Sequence, residues 1–273
     1  MTAVAVTTPT RTSARNAFLA LLLRDLAVLK KEFKMFLGRT VMQPLLLIFV
    51  FTYVFPKIGQ GIGGPRGAAN FSTLLVGGVI ASALIFQGVQ AVSLPLVQDF
   101  GYTREIEDGV LAPMPVWAVA MEKVASGAIQ GIIAALVVFP LAAFIPATPV
   151  HLNVHWFYLL TLLPLAAAMS AALGLTIGTR VEPRQVPLIF SLLVIPMTFL
   201  GAVYYPWQSL SALPWLKWAV LINPLIYMSE GMRMALTNGV PHMAAWAIYG
   251  AMIGFTIVFL RLGIEGFKKR VLT

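Results

Sequence analysis

Long apolar runs separated by short polar links are the feature that most restricts how this chain can fold. Residues 71–97 contain no Asp, Glu, Lys or Arg over 27 positions, and about 20 apolar residues are enough to cross a bilayer as a helix. One shorter and four further long runs cover residues 40–55, 116–144, 156–177, 186–205 and 243–262. Charged residues make up 11% of the chain, against about 25% in a soluble domain. We therefore predict an all-α membrane protein with six transmembrane helices.

The first 39 residues divide into two segments. Residues 1–15 lack an apolar core long enough for a signal peptide, and we interpret them as a disordered cytoplasmic tail. In residues 16–39 one side of a helix would carry Phe18, Leu22, Leu26 and Leu29, and the other side Arg24, Lys30, Lys31 and Lys34. This pattern predicts an amphipathic helix in the headgroup layer of the membrane.

The rest of the chain is interpreted as one transmembrane domain, residues 40–262, followed by a basic cytoplasmic tail, residues 263–273. Residues 206–236 are too interrupted by proline to cross a bilayer and too apolar for an ordinary loop. We predict a re-entrant helical hairpin there, because neighbouring helices can satisfy its interrupted backbone. Glu230 and Arg233, three positions apart, are expected to form an ion pair that lowers the cost of burying them.

The link between the second and third runs, residues 99–115, is strongly acidic. It holds four of the ten acidic residues and one arginine, a net charge of −3. Thr103 is a suitable N-cap, and Gly109 and Pro113 would end a short helix after it. The link is either a solvated turn or a docking helix for a soluble partner, and the second interpretation gains weight only if the link is cytoplasmic.

The distribution of basic residues predicts the orientation. Six spans put both termini on one side, and that side carries 15 of the 19 Lys and Arg residues. Because cytoplasmic loops are enriched in Lys and Arg, both termini and the acidic link are expected in the cytoplasm. The same distribution argues against nucleic acid as the partner of this basic chain, since the charges lie beside apolar spans.

Polar residues within the spans are candidates for lining a pathway, although contacts between helices are the commoner explanation. The candidates are Gln43, Thr52, Gln87, Gln90, Ser191 and Thr198. Three G-x-x-x-G pairs indicate close helix packing; they are Gly127 with Gly131, Gly174 with Gly178, and Gly250 with Gly254.

Several chemistries find no support in the sequence. There is no cysteine, no phosphate-binding G-x-x-x-x-G-K-[ST] motif and no plausible metal site. The spans hold few charged groups for ion coupling. A secondary carrier or channel that works unaided is therefore the second hypothesis, and a membrane-embedded lipid-processing enzyme the third.

Two motifs support a family resemblance. The acidic link reads E-D-G-x-L-x-x-x-P from Glu107 to Pro115, and the segment before the last span reads N-P-L-x-Y-x-x-E-x-x-R from Asn223 to Arg233. With six spans and an amphipathic N-terminal helix, the chain resembles the ABC-2-type export permeases, the membrane subunits of ABC exporters in the daunorubicin-resistance, polysaccharide and nodulation-factor export group.

The resemblance implies a subunit without catalytic activity of its own. Two permease chains, identical or paired with a sister chain, would assemble in a bacterial inner membrane with two copies of a separate ATP-binding subunit. That subunit, not this chain, would hold ATP and Mg. It would dock on the link between the second and third spans, and the implied contact residues are Asp99, Tyr102, Arg104, Glu105, Glu107, Asp108, Gly109 and Leu111. The implied substrate is an amphipathic drug, a lipid or a lipid-linked saccharide, moved outward.

Overall fold

Long apolar helices dominate the computed structural model, which describes residues 11–58, 64–100, 114–182 and 185–272. The helices are α1 (Arg11–Lys31), α2 (Phe33–Ile48), α3 (Gly64–Gln98), α4 (Val116–Phe144), α5 (Trp156–Arg180), α6 (residues 186–200), α7 (Pro214–Ala219), α8 (Pro224–Leu236) and α9 (Ala245–Leu272). Two short 3₁₀ segments, Trp207–Ala212 and Val220–Ile222, flank α7. Within the described ranges the β-type pairing is one antiparallel bridge, between Leu152 and Thr237.

Two of these helices contain a π-helical stretch. α2 continues through the π-helical residues Phe49–Val54 to Phe55–Lys57. In α6, the α-helical residues Val186–Ile189 and Ile195–Leu200 flank the π-helical residues Phe190–Val194. Such wider turns displace the residues that follow around the helix.

The bundle has two ends, which we name by their connections. The loop end is where α3 finishes at Gln98 and α4 begins at Val116; the far end is where α4 finishes at Phe144 and α5 begins at Trp156. α3 is central and packs most extensively against α5 and α4, while α9 packs mainly against α5. The long helices therefore run between the two ends around a largely buried α3.

Small residues allow the close approach of the central helices. A Cβ added to Gly174 of α5 would lie 2.7 Å from the backbone oxygen of Val89 in α3, and Gly127 of α4 faces the side chain of Val92. By contrast, Gly250 and Gly254 have open space around them. Two of the three predicted glycine pairs thus lie at helix contacts, and the prediction for the pair in α9 is wrong for the single chain.

The boundaries at the N-terminus differ from the prediction. The first helix begins at Arg11, inside the segment predicted to be a disordered tail, and ends at Lys31 in a turn at Glu32. The first candidate span then runs over Phe33–Lys57, not from residue 40. The physical reason is length, since residues 40–55 alone are too short to cross a bilayer and the helix gains the missing turns on its N-terminal side.

The C-terminal helix also extends further than predicted. α9 continues to Leu272, so residues 263–272, which were predicted to form a basic cytoplasmic tail, continue the helix of the last span. Phe267 is completely buried there, and Gly263 and Gly266 lie against Leu175 and Thr179 of α5. Apolar burial within the predicted tail keeps this segment helical against the bundle.

Five helices in the described part of the chain are long and apolar enough to span a membrane. They are Phe33–Lys57, Phe71–Gln98, Val116–Phe144, Trp156–Arg180 and Ala245–Val271. The predicted fifth span corresponds to α6, whose helical run over residues 186–200 is shorter than the roughly 20 residues of a usual span. The count of six spans therefore stays a prediction.

The segment after α6 enters the bundle and returns to the far end. The side chain of Ser170 lies 3.8 Å from the Met228 sulfur of α8, and Ser170 is about 21 Å along α5 from the far end at 1.5 Å per residue. At the other end of α8, the backbone oxygen of Leu236 accepts a hydrogen bond from Asn153 at 2.9 Å. All thirteen residues of α8 are buried. Its re-entrant arrangement in a bilayer stays a prediction.

Candidate functional site

The predicted docking link connects α3 to α4 at the loop end. Seven of its eight predicted contact residues lie outside the described part of the chain; they are Tyr102, Arg104, Glu105, Glu107, Asp108, Gly109 and Leu111. The eighth, Asp99, is half-buried after the end of α3 and lines a large cavity at this end. The described surroundings of the link are therefore its two ends, at Phe100 and Met114.

Both ends of the link are held by contacts with other helices. The Phe100 ring lies edge-on to the Phe267 ring of α9, with the centroids 5.8 Å apart, and the Arg270 guanidinium is 5.3 Å from the Phe100 centroid. Met114 is buried in an apolar cluster that includes Phe267, and Phe18 of α1 packs against the same cluster. The N-terminal helix, the ends of the link and the end of α9 thus meet in one region, which we call the loop-end surface.

An ion pair attaches α1 to α4 beside this surface. The Lys123 ammonium donates to Asp25 Oδ2 at 2.7 Å, and Arg24 Nη2 is 3.4 Å from Asp25 Oδ1. The Asp25 and Lys123 side chains are only 18% and 12% exposed. This contact was not predicted from the sequence, although the sequence contains a signal for it. Asp25 lies seven positions after Phe18, on the face of α1 that packs against the bundle, where an acidic residue indicates a partner.

The neighbouring Glu122 is buried without comparable support. Its side chain is 1% exposed, and its Oε2 is 3.7 Å from the Lys123 ammonium. Within the described ranges neither carboxylate oxygen of Glu122 has a hydrogen-bond partner. A buried carboxylate normally needs both hydrogen bonds and a counter-charge, and here Lys123 supplies the charge alone.

A cavity of about 560 Å³ opens between α1, α2, α3 and α4 at the loop end. Three basic and three acidic side chains line it, together with amides and a hydroxyl. They are Arg24, Arg39 and Lys123; Asp25, Glu32 and Asp99; and Gln90, Gln98, Gln130 and Ser126. The volume falls within the range of small-molecule sites, so the cavity can hold the polar part of an amphipathic molecule.

A smaller polar pocket of about 30 Å³ lies next to the large cavity, since Arg39 and Gln90 line both. Gln43 and Gln87 also line it, so the structure brings three of the six predicted pathway residues together. Thr40 donates a hydrogen bond to Gln87 Oε1 at 3.0 Å. The Gln87 amide nitrogen is buried and has no hydrogen-bond partner within the described residues. It is therefore available to a ligand oxygen or to a water, which a space of this size can hold.

The other predicted pathway residues do not join this group. Thr52 and Thr198 are buried and donate to backbone oxygens one turn earlier in their own helices, those of Ile48 at 2.7 Å and Val194 at 2.9 Å. The side chain of Ser191 lies outside the described part of the chain. Both threonines thus satisfy their hydroxyls within a helix, as is common in apolar surroundings.

At the far end, Arg233 is completely buried and donates to four acceptors. Its Nη1 donates to Glu230 Oε1 at 2.8 Å, its Nη2 to the backbone oxygens of Ala202 and Val203, and its Nε to that of Leu74 at 3.3 Å. We call Glu230, Arg233 and the groups they contact the Arg233 network. The structure places Glu230 and Arg233 together as an ion pair, both with side chains 0% exposed.

Glu230 connects two further segments to the network. Its Oε1 also accepts a hydrogen bond from the backbone nitrogen of Trp207 at 2.9 Å, and its Oε2 accepts one from that of Met243 at 2.8 Å. One ion pair thus fixes backbone groups before α7, before α9, after α6 and within α3. Because every charged atom has a partner, the burial of this pair is compensated in the way buried ion pairs require.

Sequence comparisons decide the family. The model of the ABC-2 type transporter family matches residues 16–237. The chain belongs to this family. The permease is 25% identical over 232 residues to the inner membrane transport permease YadH of Escherichia coli (strain K12), a match that covers 81% of this chain and 84% of the relative. YadH of Shigella flexneri matches to the same extent.

Membership of this family establishes the general role of the chain. The permease is a multi-pass membrane protein and the membrane component of an ABC transporter system, which includes an ATP-binding partner. The resemblance inferred from the two motifs is confirmed, and the matched range includes both of them. Within the described ranges no cluster of His, Asp and Glu residues could hold a metal ion.

Proposed function

We propose that the permease is the membrane subunit of an ATP-driven exporter in a bacterial inner membrane. It would move an amphipathic drug, a lipid or a lipid-linked saccharide outward, powered by two copies of a separate ATP-binding subunit. The observation that carries this proposal is the family match over residues 16–237. The similarity to an inner membrane transport permease supports the location.

The proposed docking site is the link over residues 99–115. The loop-end surface supports it, because α1 and the end of α9 contact the two ends of the link through Phe18, Phe100 and Phe267. Movement of a docked subunit would therefore reach three parts of the chain at once. The concentration of Lys and Arg on the side of the termini supports a cytoplasmic loop end.

A second permease chain is the proposed partner within the membrane. α6 packs weakly on the rest of the chain and exposes Leu188, Leu192, Ile195 and Phe199. A short, loosely packed helix gains stability when it is covered by another protein surface. The re-entrant segment before α9, at the outer side, would then be fixed to the bundle by the Arg233 network.

Charge reversal in the link tests the docking proposal. Tagged permease is purified from its native host in mild detergent, and the ATP-binding subunit that remains bound is quantified by mass spectrometry. The double variant Glu107→Lys with Asp108→Lys is expected to lose about tenfold or more of the bound subunit, because like charges across an interface are strongly unfavourable. The amount of permease in the membrane is expected to be unchanged.

The matched control reverses two exposed carboxylates of the loop end outside the link, Glu182→Lys with Glu265→Lys. It carries the same change in net charge and is expected to retain the ATP-binding subunit. Equal retention by both double variants would contradict docking on the link. A wild-type permease that purifies without any ATP-binding subunit would instead favour the secondary carrier or channel.

A further inference from the structure

The large cavity at the loop end has a balanced set of charges. Its three basic side chains, Arg24, Arg39 and Lys123, face three acidic ones, Asp25, Glu32 and Asp99. A purely anionic ligand would meet the carboxylates, and a purely cationic ligand would meet the bases. Because a complementary ligand presents the opposite charge to each group, this cavity suits a zwitterion.

Two of the six charges remain available to a ligand. Within the described residues, Arg39 and Glu32 have no ion-pair partner, whereas Asp25 and Lys123 pair with each other at 2.7 Å. Glu32 lies in the turn before α2 and Arg39 lies seven positions further along, which places their Cα atoms about 10 Å apart. Their long side chains can therefore contact the two ends of one headgroup.

Amide groups adjoin Arg39 and extend its capacity for oxygen ligands. Gln43, Gln87 and Gln90 line the small pocket that Arg39 shares with the cavity, and the buried Gln87 amide nitrogen has no partner within the described residues. A guanidinium together with amide donors is typical of a site for a phosphate group. The ammonium of the ligand then belongs at Glu32.

One face of α2 carries its charged group near the loop end and exposed apolar side chains beyond it, which matches the headgroup and the acyl chains of a lipid. Met35, Arg39, Met42 and Leu46 recur at spacings of three and four and so share one side of α2, and Glu32 lies in the turn directly before this helix. Met35, Met42 and Leu46 are 75%, 58% and 55% exposed. The face therefore continues from the headgroup-binding charges at the loop end along an apolar strip toward the membrane centre.

From this arrangement we infer that the cavity between α1, α2, α3 and α4 is a binding site for a zwitterionic aminophospholipid of the leaflet at the loop end. Its phosphate binds Arg39 and the neighbouring amides, its ammonium binds Glu32, and its acyl chains lie along Met42 and Leu46. The site depends on the described cavity and not on an ATP-binding subunit, so it can fail while the proposed transport function holds.

Native mass spectrometry of the purified permease tests the inference. Delipidated protein is titrated with phosphatidylethanolamine, phosphatidylcholine and phosphatidylglycerol that carry the same acyl chains, and the bound lipid is counted. We expect phosphatidylethanolamine to bind tightest, because its ammonium can donate N–H hydrogen bonds to the Glu32 carboxylate. Arg39→Gln and Glu32→Gln are each expected to weaken its binding by about tenfold or more, the effect of one charge-assisted hydrogen bond.

Matched substitutions separate this site from general surface charge. Lys34→Gln removes an exposed base from the same helix, and Glu265→Gln removes an exposed acid at the same end; neither residue lines the cavity. Both are expected to bind phosphatidylethanolamine as wild type does. Thermal melts of all four variants are expected to match wild type, since these side chains make no buried contacts.

Other results would overturn the inference. Equal binding of phosphatidylcholine would contradict the proposed contact between the lipid ammonium and Glu32. Preference for phosphatidylglycerol would show that the cavity binds anionic lipids instead. Soluble glycerophosphoethanolamine that displaces the lipid at equal concentration would contradict a role for the acyl chains along α2. Lipid binding that is unchanged in Arg39→Gln would exclude this cavity.

Discussion

The two ends of the bundle treat buried charge in opposite ways. At the far end, Glu230 and Arg233 are both 0% exposed and every charged atom is hydrogen-bonded, mostly to backbone groups of α3, of the stretch between α6 and α7, and of the stretch before α9. At the loop end, Glu122 is equally buried, but its oxygens lack hydrogen bonds within the described residues and Lys123 compensates it through charge alone. The difference shows that burial by itself does not reveal whether a charge stabilises a fold.

This contrast also separates fixed from adjustable parts of the permease. Removing one partner from a satisfied buried pair leaves an uncompensated charge, which is strongly destabilising. A buried charge that lacks hydrogen bonds costs the fold free energy, so neutralising it is expected to reduce stability little. The far end is therefore expected to be sensitive to substitution and the loop end to be tolerant, which three experiments can test.

The largest expected effect follows from Arg233→Leu. This variant strands the buried Glu230 carboxylate and leaves the backbone oxygens of Ala202 and Val203 without their donor. We expect the free energy of unfolding to fall by about 3–5 kcal/mol, as for other buried pairs that lose one partner. Thermal unfolding in detergent, monitored by circular dichroism, measures the change.

Arg261→Leu is the matched control, because Arg261 is an exposed base of α9 and makes no ion pair within the described ranges. Its melting temperature is expected to stay within a few degrees of wild type. If the two variants melt alike, the Arg233 network does not stabilise the protein and the contrast between the ends fails.

The same substitution at the two buried glutamates gives the next largest effect. Glu230→Gln loses the charge that pairs with Arg233 and replaces one acceptor oxygen by an amide donor, so we expect a loss of about 2–3 kcal/mol. Glu122→Gln removes a charge that has no hydrogen bonds, and we expect a change below about 1 kcal/mol or a gain. Parallel melts of the two variants measure the difference, and equal losses would show that Glu122 is as well compensated as Glu230.

A pair of glycine substitutions tests packing in place of charge. A Cβ on Gly78 of α3 would lie 2.7 Å from the Val203 Cα, next to the Arg233 network, whereas Gly250 of α9 has open space. Gly78→Ala is expected to destabilise by about 1–3 kcal/mol through overpacking. Gly250→Ala is expected to be neutral or stabilising by up to about 1 kcal/mol, because alanine favours helix. A Gly78→Ala variant as stable as wild type would show that α3 and residue 203 can move apart at little cost in free energy.

The spans were predictable because each depends on local composition. Val116–Phe144 has the predicted bounds, and the other described spans differ at their ends by a few residues up to about ten. The shifts occur where apolar character continues into a basic segment, as at residues 33–39 and 263–272. There the hydropathy of a window changes gradually, while the helix ends where its packing or a turn ends it.

The contacts of the site were less predictable, for two physical reasons. The ion pair of Asp25 with Lys123 joins residues 98 positions apart, and no local pattern encodes such a distance. Three of the four acceptors of Arg233 are backbone oxygens, which every residue has, so the sequence gives no signal for Ala202 or Val203. By contrast, Gln43, Gln87 and Gln90 stand out as polar residues in apolar helices, and that signal does identify a shared pocket.

The Arg233 network has a mechanical consequence for the permease. Leu74, Trp207 and Met243 come from stretches of chain that are far apart in sequence, Ala202 lies five positions before Trp207, and a single side-chain pair ties these groups into one unit. Such a unit translates or rotates as a block and does not bend internally without breaking several hydrogen bonds together. Any cycle of opening and closing is therefore expected to move the helices of the loop end relative to the Arg233 network, which stays rigid.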